Sequence, residues 1–460
     1  MLRASCKGKS LCWKRSSILS SKYNKEDFLE KRSYEKRYHT NKICHAPGQA
    51  RLLLILLSVI GPGLITANVD NDATGITGYS LAGAQYGYGL LWAVVLVTIS
   101  LAVVQEMVAR MGVVTGKGLA DLIRERFGVR ITFWSMILLL IANLATTVAE
   151  FAGIAGAMDI FGVSPYIAIP VAAIIVWVLV IRGSYKYVER ILLALCIIYA
   201  SYIFSGFLVH PDWGQVFHDT IMPPIQLNQG YLLTLVAVIG TTIAPWMQFY
   251  QQSAIADKQI PVAHLRYEQI DTYVGAFLTD FVAFFIVVST GATLFVHHIQ
   301  IKEAKDAALA LAPLVGGNGH IAEILFGVGL LNASLMAASV LPLSTAYSIA
   351  EAFGWERGVG HNFKEAPQFL FLYTFIIVVG AGITLFVPKD RLVFVLNLPN
   401  IVGGMLLPLV LVLMLILCND RRLMGRYVNR RFYNFVAWAT TIIMTILTAL
   451  IIWTSIFPFP

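Results

Sequence analysis

Charged residues are scarce in this chain. Of its 460 residues, 13% are Asp, Glu, Lys or Arg, whereas 57% are apolar or aromatic. Soluble domains average about 25% charged residues. This composition excludes a disordered chain, a nucleic-acid binder with a basic face, and almost every soluble enzyme of this length. We therefore expect an integral membrane protein whose partners are the lipid bilayer and a small solute, with no nucleic acid.

Cysteine pairs and catalytic motifs are also lacking. The five cysteines form no Cys-x-x-Cys pair and have no histidine at metal-ligand spacing, which argues against a structural metal site. The sequence has no His-Glu-x-x-His motif and no pattern typical of a catalytic triad. We predict that the protein is not an enzyme and holds no cofactor.

No signal peptide is recognisable before the first apolar run, which begins at residue 52. Residues 1–51 have no apolar stretch followed by a small-residue cleavage site. They carry thirteen Lys or Arg and four acids, whereas the remaining residues are close to neutral. We predict a basic, disordered cytoplasmic tail over 1–51.

Long apolar runs fill the rest of the chain. A membrane-spanning helix needs about 20 mostly apolar residues, and eleven segments meet this requirement. They lie near residues 52–84, 88–110, 132–158, 164–182, 189–209, 231–257, 271–297, 321–350, 367–387, 391–417 and 432–456. The runs are continuous and do not alternate, which excludes a membrane β-barrel. We predict an all-α integral membrane protein with 11 transmembrane helices.

The basic residues predict the orientation. With the N-terminus in the cytoplasm, 30 of the 34 Lys and Arg fall on the cytoplasmic side. This matches the excess of Lys and Arg that cytoplasmic loops carry. We expect a multi-pass protein of the plasma membrane with a cytoplasmic N-terminus.

Two of the predicted spans are interrupted by polar residues together with Gly or Pro, over residues 61–75 and 240–248. They are the first and the sixth spans, so they occupy corresponding positions in two halves of five spans. Paired broken helices are typical of transporters with an inverted repeat, because freed carbonyls and helix ends bind ions near the bilayer midplane. We predict repeats over 52–210 and 231–417, followed by helix 11 and a short extracellular C-terminus over 432–460.

Two acids lie within the first interruption. A carboxylate at membrane depth costs about 2.5–3.5 kcal/mol, and Lys and Arg occur only at the ends of the predicted spans, not in their interiors. A cation is therefore the natural counter-charge. We favour Asp72 as the residue that binds it, whereas Asp70 could face a vestibule or cap a half-helix.

Other polar residues in the spans allow two interpretations. Glu150 and Asp280 are acids in the middle of spans 3 and 7, and they could serve transport or bond a neighbouring helix. Asn397 and Asn400 flank Pro399 in span 10, where they could line a cavity or link helices.

Two motifs resemble a known family. Gly61-Pro62-Gly63 opens the broken first span, and Ala109 to Lys117 reads Ala-Arg-Met-Gly-Val-Val-Thr-Gly-Lys after span 2. Both are similar to the natural-resistance-associated macrophage protein (NRAMP) family of divalent-metal transporters, and the similarity extends from 52 to about 456. The resemblance implies the leucine-transporter fold, a 5+5 inverted repeat with the metal between broken helices 1 and 6.

The resemblance also implies the site residues. The metal would be held at Asp72, Gly75, Thr241, Ala244 and Asn400. Further residues would line the site or act through water: Asn68, Asp70, Gln248 and Gln251. Glu150 would lie on an aqueous path.

The chain departs from the family pattern at several of these positions. The family's amide ligand in span 1 becomes Gly75, its thioether ligand in span 6 becomes Ala244, and its span-6 histidine becomes Gln251. A thioether favours soft transition metals, whereas Mg²⁺ prefers oxygen ligands and keeps several waters. The pattern resembles the magnesium-transporting branch of the family. We predict uptake of partly hydrated Mg²⁺, and also Mn²⁺, without proton coupling, by a monomer working through alternating access.

Three alternatives remain open. The first is a proton-coupled Mn²⁺/Fe²⁺ importer of the NRAMP type, which the missing thioether and histidine disfavour. The second is a sodium-coupled amino-acid symporter on the same fold, although Asp70 and Asp72 would repel a substrate carboxylate. The third is a sensor that transports nothing and to which the basic tail contributes.

Overall fold

The computed structural model describes residues 62–181, 196–226, 228–316, 319–358 and 363–456; the predicted tail and the first ten residues of the predicted first span lie outside them. The described part is helical and contains no strand. Its α-helices in the first half are α1 (Pro62–Asp70), α2 (Ala73–Tyr86), α3 (Leu91–Thr115), α4 (Leu119–Ile160), α5 (Pro165–Ile181), α6 (Ala200–Leu208) and α7 (Trp213–Ile221). Those in the second half are α8 (Gln229–Thr242), α9 (Pro245–Lys258), α10 (Leu265–Thr290), α11 (Ala304–Ala308), α12 (Gly319–Phe353), α13 (Pro367–Leu385), α14 (Leu392–Asn419), α15 (Arg421–Met424) and α16 (Arg431–Ile456).

Short 3₁₀ segments and one π-helical turn complete the described elements. The 3₁₀ segments are Cys196–Tyr199, Val262–His264, Leu309–Val315, Lys389–Arg391 and Gly425–Tyr427. The π turn, Gly291–Phe295, extends α10 at its end.

The two predicted interruptions are visible as helix breaks. The first span stops at Asp70 and resumes at Ala73, with Asp72 capping the new helix. The sixth span stops at Thr242 and resumes at Pro245. Proline suits the first position of a helix, where no intrahelical hydrogen bond is required of its nitrogen. Both breaks therefore have a local cause in the sequence.

Eight helices within the described residues are long and apolar enough to cross a membrane. Large apolar side chains on them point away from the protein, as expected for contact with lipid; examples are Leu96, Trp134, Ile174, Phe371 and Phe435. The protein is a multi-pass membrane protein. The prediction of eleven spans stays a prediction, because α5 has 17 residues, the two parts of span 1 are shorter still, and residues 189–195 of predicted span 5 lie outside the described part.

Several helices extend beyond the predicted apolar limits. The helix predicted from residue 132 begins at Leu119, and it is interrupted at Gly128, whose φ of 79° only glycine adopts readily. Span 7, predicted from 271, begins at Leu265, and span 2, predicted to end at 110, ends at Thr115. Apolar windows do not detect such ends because they are polar.

Close packing holds the broken helices in place. The longest helix, α4, packs along α12, and α14 lies against both α4 and α8. In turn, α10 contacts α1, α2 and α3. Glycines permit the closest of these approaches: Gly240 of α8 lies directly against Gly404 and the Asn400 carbonyl of α14.

Gly240→Ala tests this contact. The added Cβ would overlap the Asn400 carbonyl oxygen and lie 2.7 Å from Gly404 Cα, and overpacking of this kind costs about 1–3 kcal/mol or more. We expect a lower melting temperature and less monodisperse protein in detergent. Gly382→Ala is the control, since nothing lies within 4 Å of its Cβ position in α13, and it should leave the melting temperature unchanged. Equal melting curves for both variants would show that the α8–α14 contact tolerates a side chain.

Candidate ion-binding site

Asp72 occupies the break between α1 and α2. Its carboxylate caps α2: Oδ1 accepts hydrogen bonds from the Gly75 N–H at 2.7 Å and from the Thr74 hydroxyl at 2.6 Å. The residue is 4% exposed. A helix N-terminus stabilises a negative charge through its free N–H groups and its dipole. The cap thus fixes the carboxylate in place and helps to keep it ionised.

Thr241 lies at the opposite break, in the last turn of α8. In a helix its carbonyl would accept from the N–H four residues later, which is position 245. That residue is Pro245, which has no N–H. The Thr241 carbonyl therefore has no partner within the helix, and it is available to a cation.

Asn400 approaches the same place from α14. Its Nδ2 donates to the Thr74 carbonyl at 2.8 Å, and the residue is buried. This bond orients the amide and leaves its Oδ1 as the acceptor. Helix α14 continues through Pro399 without a break. Asn400 thus combines two roles that the sequence left as alternatives, since it links helices and also lines a cavity.

These residues surround an enclosed cavity of about 20 Å³. That volume holds roughly one water molecule, so a fully hydrated ion does not fit in this conformation. The cavity is lined by Asp72, Thr74, Ala142, Asn143, Thr146, Gly240, Thr241, Ala244, Pro245, Trp246, Pro399, Asn400 and Gly403. The polar side chains of this lining offer oxygen and nitrogen atoms, and none of these described residues carries sulfur or imidazole.

The structure brings most of the predicted metal residues together. Asp72, Thr241, Ala244 and Asn400 line the cavity. Gly75 lies at its edge. A Cβ at this position would be 3.4 Å from Thr241 Oγ1 and 2.7 Å from the Asp70 carbonyl oxygen. A side chain at this position would therefore crowd the site.

Glu150 lies behind the cavity and does not line it. Its Oε2 accepts the Ala73 N–H at 3.3 Å, and its carboxyl group interacts electrostatically with that of Asp72. Glu150 therefore holds the start of α2 beside Asp72. Its predicted place on an aqueous path remains a prediction.

Three residues predicted to line the site are not part of this cavity. Gln248 and Gln251 lie further along α9, and Gln251 lines a separate small cavity with Gln105. Gln248 lies four positions after Ala244, on the same helix face but about one turn further from the break, because each residue adds about 1.5 Å along the axis. Asp70 is buried next to the break but outside the cavity. The side chain of Asn68 lies outside the described part of the structure.

Sequence reasoning missed the contribution of α4. Asn143 and Thr146 line the cavity, and Asn143 Nδ2 also donates to Thr345 Oγ1 of α12 at 2.8 Å. Together with Glu150 they occupy positions i, i+3 and i+7, which is one helix face. This stripe of polar residues in an apolar span is the sequence signal that could have revealed the contribution of α4.

Two acidic side chains, and no basic one, lie at the described site. Asp72 and Glu150 are both buried, and neither forms an ion pair among those recorded for the described residues. An uncompensated charge in a low-dielectric interior is costly. The arrangement is therefore suited to a cation held by oxygen ligands, with one carboxylate as its charged anchor.

The sequence is similar to known proteins over most of its length. A family model described as natural resistance-associated macrophage protein-like matches residues 63–454. The chain is 27% identical over 409 residues to the divalent metal cation transporter MntH of Verminephrobacter eiseniae, covering 85% of this chain and 88% of that protein. It is 25% identical over 422 residues to MntH of Bacillus subtilis, covering 88% and 94%.

Solved structures show the same architecture. The manganese transporter of Eremococcus coleocola superposes with a TM-score of 0.74 at 22% identity over 90% of each chain. MhsT in complex with L-phenylalanine superposes with a TM-score of 0.57 at 13% identity, covering 85% of this chain and 98% of that one. The fold is thus shared beyond metal transporters, whereas the family match covers most of the sequence. The chain belongs to the NRAMP family.

Proposed function

We propose that this protein imports divalent metal cations through the cavity at Asp72, with Mn²⁺ as the principal ion. The observation that carries the proposal is a buried carboxylate without a basic partner, placed between two broken helices beside the Thr241 carbonyl. The names of the relatives, a divalent metal cation transporter and a manganese transporter, favour the NRAMP-type Mn²⁺/Fe²⁺ importer over the magnesium carrier that the sequence suggested.

Mg²⁺ is a second candidate because of the cavity lining. Ala244 caps α9 without any side-chain ligand, and the described lining contains no thioether. Soft ligands discriminate in favour of transition metals, whereas oxygen ligands also suit Mg²⁺. In this conformation the cavity admits roughly one water, so it has room for an ion of either kind but not for the waters that a partly hydrated ion keeps.

The wider architecture follows from the same proposal. We infer eleven helices in two inverted repeats of five, because α1–α2 and α8–α9 are broken at corresponding positions. The N-terminus lies in the cytoplasm of a plasma-membrane protein that functions as a monomer. Each imported charge then gains about 2.3 kcal/mol per 100 mV of membrane potential.

The first test is metal flux into proteoliposomes. The full chain is reconstituted, and entry of Mn²⁺ and Mg²⁺ is recorded with metal-sensitive dyes while internal pH is followed. We expect Asp72→Asn to reduce flux at least about 100-fold, because loss of a charged partner in a buried site costs about 3 kcal/mol or more. Asp159→Asn, at an exposed acid paired with Lys389, is the control and should retain flux.

The ion and the pH record separate the two candidates. Mn²⁺ entry with acidification identifies a proton-coupled manganese importer, and Mg²⁺ entry without acidification identifies the magnesium uniporter. If neither ion enters, or if Asp72→Asn transports as well as the wild type, the proposal is wrong.

Ala244→Met tests the link between the missing thioether and selectivity. A thioether at the α9 cap should raise the ratio of Mn²⁺ to Mg²⁺ uptake about tenfold, since soft ligands favour the transition metal. Ala244→Leu adds similar volume without sulfur and should slow both ions alike. The measurement is uptake of each ion in competition with the other. A similar ratio in both variants would mean that volume alone matters at this position.

Asn400→Ala tests the contribution of α14 to the cavity. The change removes an amide oxygen ligand and the hydrogen bond to the Thr74 carbonyl, so the concentration for half-maximal uptake should rise about tenfold. Asn397→Ala, one turn earlier on α14 and not part of the cavity lining, should leave this concentration unchanged. The reverse pattern would place the ion elsewhere.

A further inference from the structure

A second group of buried oxygen atoms lies where α1 ends against the middle of α10. It comprises the carboxyl groups of Asp70 and Asp280 and the side-chain amide of Asn71, which are 2–3% exposed. None of the three lines the cavity at Asp72. The group is therefore separate from the cavity proposed for the divalent ion.

The group is held together by hydrogen bonds between the break and α10. Asn71 Nδ2 donates to Thr279 Oγ1 at 2.8 Å and to the Thr279 carbonyl at 3.3 Å, and Thr279 Oγ1 donates to the Ala67 carbonyl at 2.8 Å. These bonds bring Asp70 next to Asp280, and the two carboxyl groups interact electrostatically. The pair is thus fixed by the fold and does not arise from two mobile side chains.

The hydroxyls beside the two acids, Thr279 next to Asp70 and Thr98 next to Asp280, are engaged with backbone carbonyls. Both carboxylate oxygens of Asp70, both of Asp280 and Oδ1 of Asn71 are buried without a partner in the described structure. Neighbouring hydroxyls donate elsewhere: that of Thr279 to Ala67, and that of Thr98 to the Val94 carbonyl at 2.7 Å. The ion pairs recorded for the described residues do not include either acid.

Five unsatisfied oxygen atoms and two acids in one buried place call for a cation. Two carboxylates at membrane depth are costly unless they are compensated. If the two acids only shared a proton, no third oxygen atom would be required beside them. The amide oxygen of Asn71 supplies such an atom, as a neutral ligand for a cation. The three side chains supply oxygen ligands directly. Mg²⁺ gives up its water reluctantly, so the group favours an ion that is dehydrated more easily, such as Na⁺.

We propose that Asp70, Asn71 and Asp280 form a Na⁺ site beside the divalent-ion cavity, coordinated by oxygen atoms alone. Bound Na⁺ offsets one negative charge of the acid pair and joins the end of α1 to α10. The proposal goes beyond divalent transport, and its test separates the two.

The test is thermal unfolding of the full chain in detergent. Melting curves are recorded in NaCl and in choline chloride at equal ionic strength and pH. A ligand that binds only the folded state raises the melting temperature with its concentration. We expect Na⁺ to raise that of the wild type by about 2 °C or more, and Asp280→Asn to abolish the increase. Binding of ²²Na⁺ to the purified protein should be lost in parallel, and Asn71→Ser should weaken it.

Asp72→Asn is the matched comparison. It should keep the response to Na⁺ and lose stabilisation by Mn²⁺, whereas Asp280→Asn should keep stabilisation by Mn²⁺. Loss of both responses in Asp72→Asn would mean a single shared site and would overturn the proposal. So would a wild type that does not respond to Na⁺, or an increase that Asp280→Asn retains. A failure of divalent binding alone would leave the Na⁺ result intact.

Discussion

A membrane interior makes an uncompensated charge and an unpaired backbone group costly at the same time, and both occur where α1 gives way to α2 and α8 to α9. The structure answers each cost locally. The Asp72 carboxylate receives two donors from the start of α2, while Pro245 starts α9 and leaves the Thr241 carbonyl without its helical donor. On the proposed function, a bound cation completes what the helices leave unpaired. The remainder of the fold serves to hold these two ends facing each other.

Small residues make that arrangement possible. Helices approach so closely around the breaks that side chains would not fit at Gly240, at Gly78 beside Asn400, or at Gly153 against Ala73. Close approach compensates for the missing hydrophobic drive between helices in lipid, because packing and interhelical hydrogen bonds must supply the association instead. The bond from Asn400 to the Thr74 carbonyl is one of these. Shape and polarity thus act together at the same few contacts.

The sequence predicts the broken helices and part of the site because both depend on local chemistry. Pro245 and the acids near Asp72 are signals that a reader can place without a structure, and the structure gathers Asp72, Thr241, Ala244 and Asn400 around one cavity. Positions one turn further along α9 are less predictable, since Gln248 shares a helix face with Ala244 but lies beyond the cavity. The contribution of Asn143 was hidden because its role depends on how α4 packs against α12, and that contact joins residues 202 positions apart.

The absence of an N–H at Pro245 has a consequence for the transport cycle. Proline cannot supply a donor in any conformation, so the Thr241 carbonyl lacks its usual helical donor in every state that the protein visits. On the proposed cycle a bound ion fills that place, and water takes it after release. The empty carrier therefore changes conformation with water at the Thr241 carbonyl, and the next ion must displace that water when it binds.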